Sequence, residues 1–154
     1  MLPFDPSPRD FSHTNLSNPS LSWGDKFERH CLAGCDPGKQ NVLIGDSFLE
    51  RLSRPSLLPL SQEYLPGWTN LGIGGDRAQH LHWRIHHGGF PANPGRAIYS
   101  CGTNNIKTDS SKECAKIANT ILDTVTSLQI KYPALTMSVI GICPPGEHYQ
   151  MPCC

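Results

Sequence analysis

Short apolar-rich runs alternate along this chain with stretches whose apolar positions recur every three or four residues. Asn41–Gly45 is apolar with no polar alternation, which predicts a parallel strand covered on both faces. Trp68–Ile73, Arg96–Cys101 and Leu135–Ile142 read as three further strands. Between them, Ser47–Arg54 opens a helix limited by Pro55, and Asp76–His87 forms a helix stopped by Gly88 and Gly89. A long helix runs from the Ser110-x-x-Glu113 capping box to about Lys131, with Ala115, Ala118, Ile121, Leu122, Val125 and Leu128 as its apolar stripe. Residues 55–67 hold three prolines and read as a connector. The order predicts a parallel α/β sheet with helices on both faces.

The ends of the chain follow other patterns. Residues 1–21 are rich in Pro, Ser and Asn without periodicity, and predict a flexible arm ahead of a domain over 22–154. Ser22-Trp23-Gly24-Asp25 has the spacing of a capping box, so a short helix to about His30 is expected, with Trp23 and Phe27 one turn apart to dock it. Cys143-Pro144-Pro145-Gly146 ends the last strand, because proline donates nothing to a ladder.

Composition narrows the classes. With 154 residues the chain can bury the core of one domain. Its 13 basic and 13 acidic residues balance, which argues against a broad nucleic-acid surface. No apolar run approaches the roughly 20 residues of a membrane span, and the start lacks the pattern of a secretory signal. A cytoplasmic location is therefore expected. The seven cysteines lack paired CxxC spacing, so no metal site is expected, and Cys101, Cys114 and Cys143 are read as small apolar residues. The terminal Cys153-Cys154 pair is not a CaaX box.

Three blocks carry candidate chemistry. Gly45-Asp46-Ser47 follows the first strand, Gly72-Ile73-Gly74-Gly75-Asp76 closes the second, and Gly102-Thr103-Asn104-Asn105 follows the third. Ligands of open parallel sheets bind beyond the carboxyl ends of the strands where strand order reverses. With the order 2-1-3-4, all three blocks border one crevice. Ser47 can attack a carbonyl carbon if a base removes its proton, and it opens a helix. The Gly74 amide is unshielded by a Cβ, and the Asn104 carboxamide is a neutral donor; both suit an oxyanion. Singly, each block also reads as an ordinary turn, and the glycine cluster lacks the third glycine of a dinucleotide-binding loop.

Together the blocks resemble the GDSL/SGNH hydrolase superfamily. Ile44–Ser47, Asn70–Asp76, His80 with Trp83 and Arg84, and Gly102–Asn105 are similar to the catalytic subunits of intracellular platelet-activating-factor acetylhydrolases. The resemblance covers roughly residues 40–146, and the Trp23–His30 segment also looks like that family's N-terminal helix. It implies a three-layer, flavodoxin-like fold and a serine esterase acting on acetyl or short-acyl esters without cofactor or metal. Ser47 would be the nucleophile, with Gly74 and Asn104 in the oxyanion hole. Homodimers, heterodimers with related subunits, and a β-propeller regulatory partner are implied as well.

The family's closing Asp-x-x-His is not found after the third block. The expectation is therefore a C-terminally truncated domain without the fifth strand and without a general base, inactive or weakly active. The only Asp-x-x-His is Asp10–His13, in the N-terminal arm, and His148 follows the fourth strand. His80, His82, His86 and His87 share the helix after the Gly74 loop and are expected to cap or pack. The alternative to an esterase is a non-catalytic protein binding full-length subunits or the propeller partner.

Overall fold

The computed structural model describes residues 22–33, 38, 40–106 and 111–142. The expected arm over 1–21, the Cys143–Gly146 strand end, His13 and His148 lie outside those residues.

Helix α1 spans Trp23–Ala33, somewhat past the expected end. Its capping box forms as the spacing predicts: the Asp25 amide donates to Ser22 Oγ at 3.2 Å, and the Ser22 amide to Asp25 Oδ2 at 2.8 Å. Strand β1 (Gln40–Gly45) leads into the short helix α2 (Ser47–Glu50), which tightens into a 3₁₀ turn over Arg51–Ser53. The connector contains a helix that sequence patterning missed, α3 (Leu58–Tyr64), with Pro59 in its first turn, where a missing N–H costs nothing. Strand β2 (Trp68–Gly72), helix α4 (Ala78–His86), strand β3 (Pro94–Ser100), a 3₁₀ turn over Thr103–Asn105, helix α5 (Ser111–Lys131) and strand β4 (Thr136–Val139) follow.

The four strands form one parallel sheet in the order β2-β1-β3-β4, as expected. Helix α4 begins two residues later than predicted, because Asp76 is drawn into a buried ion pair instead. Strand β4 is shorter than the predicted Leu135–Ile142.

One large apolar cluster lies on one face of the sheet. Val42, Ile44, Leu71, Ala97 and Tyr99 meet Leu81 and Ile85 of α4 and Leu128 of α5. On the other face, close packing requires glycine: a Cβ on Gly45 would overlap the Ser100 carbonyl of β3 and crowd Leu49 of α2, and one on Gly72 would overlap the Glu50 amide of α2. The predicted stripe of α5 is displaced. Ile117, Thr124 and Leu128 are buried, whereas Ala115, Ala118 and Leu122 are exposed, as is Cys114. Thr124 is buried because its hydroxyl meets His82 of α4 at 2.8 Å while donating to the Thr120 carbonyl of its own helix. Among the described strands β4 is an edge, and Val139 and Ile140 are exposed there.

Candidate functional site

Register places the three blocks side by side. Gly45 pairs with Gly72 on one flank and with Ser100 on the other, so the chain leaves all three strands at one level. Ser47 is two residues beyond that row, Gly74 two residues beyond, and Asn104 four. Their elements thus border the same end of the sheet, with strands about 4.8 Å apart.

Ser47 is the half-buried first residue of α2. Asp46 caps the helix, accepting from the Phe48 amide at 3.0 Å. The same carboxylate accepts from the amides of Gly102 and Thr103, and the Asp46 amide donates to the Ser100 carbonyl at 3.1 Å. One side chain therefore joins the Ser47 turn to the Asn104 turn. Burial pushes the Asp46 carboxyl above its ordinary value, and those amides oppose the shift. This bridging role went unread in the sequence; the only local sign was an N-cap residue directly before Ser47.

The Gly74 turn is closed by the Asp76 amide, which donates to the Ile73 carbonyl at 3.2 Å, and Gly75 adopts φ +83° within it. The Asn70 carboxamide supports the turn from below. It donates to the Leu49 carbonyl at 2.6 Å and accepts from the Gly72 amide at 2.9 Å, tying β2 to α2.

Asn104 sits in the 3₁₀ turn after β3 and donates from Nδ2 to the Asp76 main-chain oxygen at 2.8 Å. A carboxamide nitrogen carries two N–H donors, so this bond orients the second. The neighbouring Asn105 accepts from the Ala78 amide at 2.8 Å and donates to Gln79 at 2.7 Å, anchoring the turn to the start of α4.

Beneath the blocks lies a buried ion pair. Arg84 Nε donates to Asp76 Oδ2 at 2.7 Å, and neither side chain reaches solvent. Arg84 Nη2 donates to the Gly45 carbonyl at 2.9 Å, and Trp23 Nε1 donates to Asp76 Oδ1 at 2.8 Å. The guanidinium has no acceptor capacity, so each of these bonds consumes a donor that burial would otherwise strand. Sequence reading marked Asp76 and Arg84 within the resemblance but assigned them no contact.

The α4 histidines cap and pack, as expected. His80 Nδ1 accepts from the Arg77 amide at 3.3 Å, completing a capping box. His82 reaches Thr124 at 2.8 Å, and His86 reaches Ser127 at 3.0 Å. His87 stacks on Trp83 with ring centroids 4.1 Å apart. Burial lowers both His82 and His86 from the ordinary imidazole value. Among the described residues no group of three His, Cys, Asp or Glu side chains is placed to hold a metal ion. No helix among them is long and apolar enough to cross a membrane.

One cleft of about 380 Å³ is lined by Trp68, Arg96, Ile98, Thr136 and Ser138.

No protein-family model matches the chain. Platelet-activating factor acetylhydrolase IB subunit alpha1 of Rattus norvegicus is 29% identical over 132 residues, covering 82% of this chain and 53% of that protein. The alpha2 subunit of Homo sapiens is 26% identical over 131 residues, covering 81% and 53%. The chain thus spans about half the length of the curated relatives it matches. Among solved structures, a candidate platelet activating factor protein from Streptococcus pneumonia superposes with a TM-score of 0.63 at 19% identity, over 81% of this chain and 56% of the other. A candidate acylhydrolase from Bacteroides fragilis gives 0.58 at 16% identity, over 77% and 58%. These two likenesses concern the fold alone. The chain is similar in sequence to the platelet-activating factor acetylhydrolase IB alpha subunits over about four fifths of its own length, and its α/β fold matches that of the two solved structures.

Proposed function

We propose that this chain carries the nucleophile and oxyanion-binding part of an SGNH-type serine ester hydrolase for acetyl or short-acyl esters. Ser47 is the nucleophile, and the amide of Gly74 and the carboxamide of Asn104 bind the oxyanion. The observation that carries this reading is the Gly72–Gly45–Ser100 register, which sets all three blocks at one end of the sheet. Attack by Ser47 forms the bond to the acyl carbon, the carbonyl oxygen takes the negative charge, and the alcohol leaves with a proton. A serine without a paired base is a weak nucleophile. Among the described residues, His30, His80, His82, His86 and His87 are engaged with Arg84, Arg77, Thr124, Ser127 and Trp83, respectively. Turnover by the described residues alone is accordingly weak, since losing a triad member costs about 10⁴–10⁶ in rate.

The test is labelling by a fluorophosphonate together with p-nitrophenyl acetate turnover. Slow labelling confined to Ser47, lost in Ser47→Ala and reduced about 100-fold in Asn104→Ala, is the expected result. Labelling that persists in Ser47→Ala would sink the assignment.

A second reading is a non-catalytic subunit that binds full-length relatives or a β-propeller partner. The exposure of Val139 and Ile140 along β4, and of Leu122 and Ile130 on α5, favours it. Co-purification with an alpha1 or alpha2 subunit, and no labelling at Ser47, would select it.

A further inference from the structure

Helix α1 contains none of the three blocks, yet its inward face reaches the supports of each. Trp23, Lys26 and His30 stand at i, i+3 and i+7, on one stripe. Trp23 Nε1 donates to Asp76 Oδ1 at 2.8 Å. Lys26 Nζ meets Glu50 Oε1 at 2.6 Å, and Glu50 is the last residue of the helix that Ser47 opens. His30 Nδ1 lies 3.4 Å from Arg84 Nη1; a guanidinium only donates, so the imidazole accepts as a neutral ring.

Docking alone does not call for these polar groups. Trp23 stacks on Phe27 at 5.3 Å, and Phe27 meets Trp83 at 5.4 Å, so an aromatic contact already fastens α1 to α4. Buried polar groups carry a desolvation cost that apolar residues at the same positions would avoid. Their partners are Asp76, Arg84 and Glu50, the groups that hold the Asn104 carboxamide, the Gly45 end of β1 and the helix of Ser47.

We propose that α1 is a positioning clip for the strand-end site. Trp23 acts through Asp76 on Asn104, His30 acts through Arg84 on the Gly45 carbonyl, and Lys26 acts through Glu50 on the helix of Ser47. The proposal rests on the esterase reading, in which Asn104 and Ser47 are the groups that need orienting. The chain of contacts is short: Trp23 to the Asp76 carboxylate, then the Asp76 main-chain oxygen to Asn104 Nδ2. A shift of Asp76 rotates the second Asn104 N–H away from the direction that an oxyanion requires.

The experiment uses the full chain and Trp23→Phe, which keeps an aromatic ring on Phe27 and removes one N–H. Three quantities are read: the thermal midpoint, the side-chain ¹⁵N–¹H₂ signals of Asn104 (assigned by their loss in Asn104→Ala), and the fluorophosphonate labelling rate at Ser47. In Trp23→Phe the midpoint moves by a few degrees at most. The Asn104 signals shift, their solvent exchange quickens several-fold, and labelling slows about 10-fold, less than the loss of a whole oxyanion donor. His30→Ala gives the same pattern, and His30→Asn, whose carboxamide oxygen accepts from Arg84, restores it. Asn104 signals that stay unchanged in both Trp23→Phe and His30→Ala overturn the clip, as do shifted signals with an unaltered labelling rate. If the unsubstituted chain is not labelled at Ser47, the esterase reading falls, and the Asn104 signals alone decide whether α1 acts as a clip.

Discussion

Arg84 and Asp76 meet at 2.7 Å with both side chains wholly buried, and through them α4 holds the end of β1 and the Gly74 turn together. The pair is eight residues apart in sequence, and its outer bonds span much longer separations, to Gly45 and to Trp23. Removing one partner leaves the other charge buried and uncompensated. Arg84→Met is expected to destabilise the fold by about 3–5 kcal/mol, read from urea unfolding. A loss below about 1 kcal/mol would show that Asp76 finds another partner or simply takes up a proton.

Tyr99 offers a change of the opposite sign. Its ring is fully buried, and its hydroxyl has no hydrogen-bond partner among the described residues. Burial raises its ionisation far above the ordinary phenol value, so the group stays neutral. Tyr99→Phe removes a stranded O–H while keeping the packing, and is expected to stabilise the chain by about 1 kcal/mol. A lower thermal midpoint in Tyr99→Phe would count against the orphaned hydroxyl.

His30 predicts an acid-side loss of stability. Burial, then the positive charges of Arg84 and Lys26, lower it from 6.5 to about 3. Unfolded, the imidazole takes up a proton near its ordinary value; folded, it resists until far lower pH. Between those limits the unfolded state binds more protons, so this contribution is complete above pH 6.5 and declines as pH falls toward 3. His82 and His86 are lowered too and act with the same sign. Urea midpoints measured between pH 7.5 and pH 5 should decline, and His30→Asn should flatten much of that slope. An identical slope in the variant would remove His30 as its source.

The exposed edge predicts self-association. Val139 is 51% exposed at the end of β4, with Ile140 beside it at 39%. Apolar residues on an open strand invite pairing with other chains, and a charge placed there discourages it. Val139→Lys should shift the sedimentation profile toward monomer at unchanged thermal midpoint. A parent chain that is already monomeric at high concentration would contradict this.

Much of the architecture was legible because local patterns carry it. Apolar-rich runs leading into glycine blocks marked β1 to β3, and the order of strands and helices selected a parallel sheet. Where patterning failed, a local exception or a tertiary partner had overruled it. Pro59 suggested a break, but its place in the first turn of α3 removes the penalty. The α5 stripe was misread because Thr124, polar by type, is buried by its bond to His82.

The candidate site divides in the same way. The residues themselves determined that Ser47, Gly74 and Asn104 each follow a strand, since residue type and strand ends are local properties. Only the tertiary structure decided that Gly45 pairs with both Gly72 and Ser100, which brings their loops to one end of the sheet. It also decided that Asp46 bridges two of those loops, and that Trp23 and His30 close over the Asp76–Arg84 pair. Those contacts join positions up to 57 residues apart, from Asp46 to Thr103 at the longest and from Trp23 to Asp76. Their energy comes from burying donors and acceptors against one another, and no stretch of sequence shows which donor will meet which acceptor until the chain is folded.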